Sequence, residues 1–245
     1  MSFEAKSRKT TFNLGLRFRG IGGVFLSCFL FLNATSLMAQ KKAKTMHTYL
    51  ALGDSYTIGE QVEPDMNFPN QLVTMLNKQS LQVAPPQIIA VTGWTTDELA
   101  AAIEKEDIKA TYSFVTLLIG VNNQYRGRSI ENYREEYTAL LKQAIGFAGG
   151  DASHVFVLSI PDWGVTPFAE GRDRAQIAKD IDAYNNAKEE ITKAHKCHWL
   201  EITESTREHG TDETYLVEDK LHYSGKEYAV WAERLVPTVT AEFIN

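Results

Sequence analysis

A serine hydroxyl is a weak nucleophile until a base takes its proton, and a histidine suits that task near neutral pH. Ser55 follows Gly53-Asp54 at the end of an apolar run, and His222 stands near the far end of the chain with Asp219 three residues before it. An acid beside the imidazole can fix its tautomer and stabilise its charged form. Two further segments supply donors for the oxyanion that attack on a carbonyl produces. Gly93, in Thr92-Gly93-Trp94, permits close main-chain approach, and Asn122, in Gly120-Val121-Asn122-Asn123, offers a side-chain amide. The Ser55 N–H is the third donor. These residue types spell acyl transfer, whereas Asp54 reads as a turn or helix-entry residue.

Segments so far apart meet only if the fold carries them to one rim. Apolar runs of strand length at 47–53, 86–92, 113–120, 154–160 and 198–202 alternate with helical patterns. They are near-continuous in Val, Ile, Leu and Phe, which predicts strands of a parallel sheet buried on both faces. Between them, 68–78 places Leu72, Met75 and Leu76 on one side, and Thr95 to Glu98 has capping-box spacing at a helix start. A stripe of Tyr133, Tyr137, Leu140, Leu141 and Ile145 marks 129–147, and Ile177, Ile181, Tyr184, Ala187 and Ile191 mark 172–195. The last helix begins at Ser224, with Glu227 again at capping-box spacing. Such alternation predicts an open α/β sheet with helices on both faces, where ligands bind beyond the carboxyl ends of the strands. The four chemical segments fall there.

In this order the residues resemble the SGNH hydrolases, also called GDSL esterases and lipases. The four blocks of that family are matched by Ser55, Gly93, Asn122 and His222, with Asp219 as the acid, and the resemblance runs from about Tyr49 to Trp231. It implies a flavodoxin-like three-layer α/β/α sandwich around a central, mostly parallel five-stranded sheet, and ester hydrolysis without a metal or other cofactor. The segments 160–169 (IPDWGVTPFA) and 92–99 (TGWTTDEL) are similar to a bacterial subgroup of exported esterases. Two positions depart from the family pattern. Asn123 replaces an Asp, which implies changed hydrogen bonding in that loop, and Tyr56 replaces a Leu, which implies a narrower entrance beside the nucleophile.

The 245 residues are 44% hydrophobic and 23% charged, within the range of a globular protein, and the net charge of −6 sets nucleic acid aside as a partner. Residues 1–39 run from a basic leader through the apolar 21–32 to a small-residue stretch, the order of a secretory signal peptide. Cleavage after Ala39 leaves 40–245 as one domain. It removes five basic side chains and one acidic one, so the net charge becomes −10. The expected location is the periplasm or the medium. The apolar run is shorter than the roughly 20 residues a membrane helix needs, so no stable span is expected in the mature chain. An uncleaved N-terminal anchor is the other reading. In the cleaved chain only Cys197 remains, which excludes a disulfide within it. His195, Cys197 and His198 lack a fourth ligand at a familiar spacing, so no metal is expected. The residues carry no signal of oligomeric state.

Candidates for substrate contact are Trp94 and Trp163, as an aromatic platform for a sugar ring, with Tyr125 and Arg126 behind the oxyanion block. Arg126 would hold an anionic substrate group. The expected partner is a small-molecule or glycan ester, with short acyl groups such as acetyl on carbohydrate favoured. Lysophospholipase- or lipase-type hydrolysis, and acyl transfer to an alcohol, use the same catalytic residues. A reading from another class is a non-catalytic glycan-binding module on this fold.

Overall fold

Residues 45–244, together with Thr11 and Gly15, are described by a computed structural model. The expected signal peptide, 1–39, otherwise lies outside the described residues, and the unit Ala43–Asn245 carries the fold. Its apolar runs form five strands: β1 (Tyr49–Gly53), β2 (Gln87–Ala90), β3 (Phe114–Leu118), β4 (Val155–Leu158) and β5 (His198–Leu200). Every residue of β1, β3 and β4 is buried, while the edge strands β2 and β5 are partly exposed. Continuous burial is what a strand covered on both faces requires. The order is β2-β1-β3-β4-β5, and all four pairings are parallel.

The helices are α1 (Ser55–Ile58), α2 (Phe68–Lys78), α3 (Thr96–Glu106), α4 (Val121–Tyr125), α5 (Ile130–Phe147), α6 (Arg174–Ala194), α7 (Thr203–His209) and α8 (Gly225–Phe243). Asn67, Ser129 and Asp173 cap α2, α5 and α6, each accepting from a main-chain N–H three residues on. α2 packs with α8 in one layer; α5 packs with both α3 and α6 in the other. Together with the sheet they make the α/β/α sandwich.

The capping box opening α3 forms, with Glu98 Oε2 accepting from the Thr95 N–H at 2.9 Å. The one expected at Ser224 does not. Glu227 is wholly buried and accepts instead from Ser205 Oγ (2.6 Å), His209 Nδ1 (2.6 Å) and Trp231 Nε1 (2.8 Å), while Ser224 Oγ donates to the Thr214 carbonyl. The carboxylate thus ties α8 to α7 rather than capping its own helix.

From β1 the chain crosses to the edge strand β2 and returns past β1 to β3. That reversal opens a crevice between the ends of β1 and β3, the switch point where sheets of this order bind ligands. Among the described residues no helix is long and apolar enough to cross a membrane.

Candidate active site

Ser55 is positioned by close packing at the end of β1. A Cβ on Gly53 would stand 2.1 Å from Thr57 Oγ1 and 2.4 Å from the Leu118 carbonyl oxygen, so only glycine lets α1 turn this tightly over β3. Asp54 caps α1 by accepting from the Tyr56 N–H at 3.1 Å, as a helix-entry residue does. Ser55 is the first residue of that helix, where the main-chain N–H has no intrahelical acceptor.

His222 arrives from the other end of the chain, in a loop closed by the Leu216–Tyr223 bridge and by the Val217 N–H on its own carbonyl. Its Nε2 lies 2.8 Å from Ser55 Oγ, and its Nδ1 lies 2.6 Å from Asp219 Oδ2. The other oxygen of Asp219 accepts from the main-chain N–H groups of Leu221 and His222, both at 2.9 Å. Partial burial pushes the Asp219 carboxyl up, but the bonds from His222 and from these N–H groups outweigh it and hold the group below the ordinary carboxylate range. Ser55 and His222 are themselves buried.

Gly93 sits just past β2 with φ +85°, a conformation that favours glycine. Asn122 Nδ2 donates to the Trp94 carbonyl at 3.0 Å; its other contact, Asp54 Oδ2 at 3.5 Å, exceeds the normal hydrogen-bond range. Ser55, Gly93, Asn122 and His222 line one cavity of about 160 Å³, with Tyr56, Thr92, Val121, Tyr125, Trp163, Phe168 and Leu221 around them. The structure therefore brings the residues of all four blocks into contact with one space.

The outlying candidates fare differently. Trp94 is not among the residues lining that cavity. Arg126 also lies outside the lining; its guanidinium donates to the Gly93 carbonyl (2.6 Å) and to Glu98 Oε1 (3.0 Å). Trp163 is 5% exposed and donates its indole N–H to Gln124 Oε1, so it forms part of the wall rather than a free platform. The open aromatic surface comes from Tyr125 (47% exposed) and Phe168 (41%), both packed against Trp163. Phe168 was no candidate from sequence, nor was Leu221. The Phe168 N–H donates to the Lys220 carbonyl, which fastens this wall to the loop that carries Asp219 and His222.

Both departures from the family pattern find a place. Tyr56 is almost wholly buried, and its ring lies 5.0 Å from the His222 ring, so it backs the imidazole. Asn123 accepts from the Thr96 N–H at 3.1 Å and donates to Thr96 Oγ1 at 2.6 Å. An amide supplies both the acceptor and the donor this clasp uses.

Lys188 was equally invisible from sequence. It is fully buried within α6, and its Nζ donates to the carbonyls of Leu158 (2.7 Å) and Ile119 (3.0 Å) at the ends of β4 and β3. Burial lowers its ammonium pKa and raises that of the Asp54 carboxyl, each countered by the charge of the other. His195, Cys197 and His198 do not converge: His195 Nδ1 meets the Ile191 carbonyl and His198 Nε2 meets Glu242. Among the described residues no three His, Cys, Asp or Glu side chains gather as a metal site would require.

The sequence matches the GDSL-like Lipase/Acylhydrolase family over residues 51–230. No curated protein matches it significantly by sequence. Among solved structures, TesA is similar, with a TM-score of 0.63 at 15% identity over 80% of this chain and 99% of that one. So is a lipase/acylhydrolase from Enterococcus faecalis (0.61, 19% identity, 80% and 97%). Axe2, an acetylxylan esterase from Geobacillus stearothermophilus, gives 0.62 at 16% identity, covering 79% and 94%. At these identities the likeness is one of fold.

Proposed function

The chain belongs to the GDSL-like lipase/acylhydrolase family and is a carboxylic ester hydrolase; we propose that Ser55, His222 and Asp219 carry the hydrolysis. The observation behind this reading is the unbroken chain of contacts from Ser55 Oγ through the imidazole to the Asp219 carboxylate. Ser55 Oγ attacks the ester carbonyl while His222 Nε2 takes its proton, and Asp219 holds the Nδ1 proton and balances the imidazolium. The oxyanion forms against the N–H groups of Ser55 and Gly93 and the Asn122 amide. As the tetrahedral intermediate collapses, the imidazolium gives its proton to the leaving alkoxide. Water then attacks the acyl-serine by the same route, releasing the acid and restoring the hydroxyl.

The substrate reading is a short acyl group on a carbohydrate. It draws on the small cavity, and on a second groove of about 390 Å³ that shares Tyr125 and Trp163 with it as lining residues. That groove offers Arg172, Asp173 and Gln176 beside the aromatic surface, a set suited to sugar hydroxyls and ring faces. The neighbour named as an acetylxylan esterase accords with this choice. Export through a cleaved leader, ending at Ala39, belongs to the same proposal and would place the enzyme among extracytoplasmic glycans.

The test is hydrolysis of p-nitrophenyl acetate beside Ser55→Ala and His222→Ala, with labelling by a fluorophosphonate probe. Each variant is expected to lose at least about 10⁴-fold in kcat with its thermal unfolding unchanged, and the probe to label Ser55 alone. Wild-type turnover in purified Ser55→Ala would refute the mechanism.

A further inference from the structure

Gly93 poses a problem for preorganisation. An oxyanion donor helps only if it already points at the developing charge, yet glycine is the residue whose main chain turns most freely. The protein meets this with successive tethers on the loop entering α3. The Gly93 carbonyl accepts from Arg126 Nη2 at 2.6 Å, and the Trp94 carbonyl accepts from Asn122 Nδ2 at 3.0 Å. The Thr95 N–H donates to Glu98 Oε2 at 2.9 Å, and the Thr96 N–H donates to Asn123 Oδ1 at 3.1 Å. Arg126 Nη1 also donates to Glu98 Oε1 at 3.0 Å, so the guanidinium joins the first tether to the third. Three of the four tethers come from α4 or from Arg126, which ends it, the segment that also presents Asn122.

We propose that Arg126 is a positioning residue of the oxyanion hole: by gripping the Gly93 carbonyl against Glu98, it holds the Gly93–Trp94 peptide plane and so steadies the turn, closed by the Trp94 N–H on the Val91 carbonyl, that presents the Gly93 N–H. The inference rests on the reading that Gly93 and Ser55 act in the reaction. A charge-assisted bond to a carbonyl is stronger than a neutral one, and the planar fork reaches two acceptors at once. Two of its five N–H donors are thus engaged by the protein, at the Gly93 carbonyl and at Glu98. The Arg126 and Glu98 side chains are 43% and 39% exposed, so as a mere ion pair they would add little to stability.

The experiment compares kcat and KM on p-nitrophenyl acetate, a neutral ester, for wild type, Arg126→Met, Arg126→Lys, Glu98→Gln and Ser55→Ala. Arg126→Met is expected to lose about 10- to 100-fold in kcat, less than deletion of a donor, with KM within about twofold. Arg126→Lys, which keeps the charge but not the fork, falls between. Glu98→Gln keeps the capping group of α3 and loses only about 2- to 5-fold. A short alkylboronic acid, which forms a tetrahedral adduct on serine, should weaken against Arg126→Met by the factor lost in kcat/KM. Should Arg126→Met fail to fold, Arg126→Lys and Glu98→Gln carry the same comparison. Unchanged kcat and boronate affinity in the folded Arg126 variants would overturn the inference, as would a loss confined to KM, which belongs to substrate binding. If Ser55→Ala retained activity, the reading of the site itself would fall instead.

Discussion

Asp219 uses its two oxygens unequally, and replacing it by asparagine exploits the difference. Oδ1 accepts two main-chain N–H groups at 2.9 Å, whereas Oδ2 faces His222 Nδ1 at 2.6 Å. An asparagine has one oxygen for these two stations. With that oxygen on the main-chain N–H pair, its NH₂ donates to Nδ1 and forces the imidazole proton onto Nε2, where it cannot accept from Ser55. The flipped amide would point NH₂ at two N–H donors and forfeit both bonds, at about 1 kcal/mol each plus some desolvation. A preference of about 2–3 kcal/mol populates the unproductive tautomer some 30- to 150-fold over the productive one. With the carboxylate charge that stabilises the imidazolium lost as well, Asp219→Asn should lose about 10⁴-fold in kcat/KM, as happens where a triad acid is replaced in this way. Asp219→Ala leaves the imidazole free to choose its tautomer, and should be about 10-fold or more faster than Asp219→Asn. The assay is initial-rate hydrolysis of p-nitrophenyl acetate, with thermal melts to verify folding. An asparagine variant as fast as the alanine variant would refute the argument.

The cavity size sets a chain-length profile. At about 160 Å³ the space beside Ser55 is smaller than the roughly 300–1,000 Å³ of pockets that enclose drug-sized ligands, which favours a short acyl group. On p-nitrophenyl esters kcat/KM should rise about fourfold per methylene from acetyl to about butyryl, then fall by about tenfold or more at octanoyl as the site overfills. A steady rise to dodecanoyl would point to lipid substrates and refute the size argument. Acid unfolding should also bear the mark of Asp219. Because its folded pKa lies below the ordinary 3.8, its stabilisation is fully present above that value and is lost as pH falls through the depressed one. Melting temperatures of wild type should thus drop more steeply below about pH 4 than those of Asp219→Asn, and parallel curves would contradict the assignment.

Strands buried on both faces announce themselves as unbroken apolar runs, as β1, β3 and β4 do, and the partly exposed edge strands β2 and β5 were legible from shorter apolar stretches in the same alternation with helices. The long helices were legible by their stripes. α1, α4 and α7, of four, five and seven residues, are too short to show a period, although two of them carry Ser55 and Asn122. Ser55, Gly93, Asn122, Asp219 and His222 could be picked out because their residue types and order at strand ends restrict the chemistry. Side-chain direction was not legible. In Arg126 the sequence shows a cation near the oxyanion block, the ground for expecting a substrate ligand there, but not the Gly93 carbonyl it grips. Glu227 has capping-box spacing, yet Ser205, His209 and Trp231, distant or unremarkable in sequence, claim its carboxylate. Lys188 gave no sign of burial, because its acceptors are carbonyls at strand ends and carbonyls leave no mark in a sequence.

Ser55 and His222 are 167 residues apart, while Asp219 and His222 are separated by three. The Asp219–His222 pair can form within one local loop, but Ser55 joins it only when the first strand and the last loop have met across almost the whole domain. Closing so long a stretch of chain costs entropy that no local contact repays. In refolding from denaturant, helix content therefore returns ahead of hydrolysis, and reactivity of Ser55 becomes a clock for the docking of the two ends. A nick anywhere between them leaves the chemical groups unchanged and is felt through the time they take to find each other.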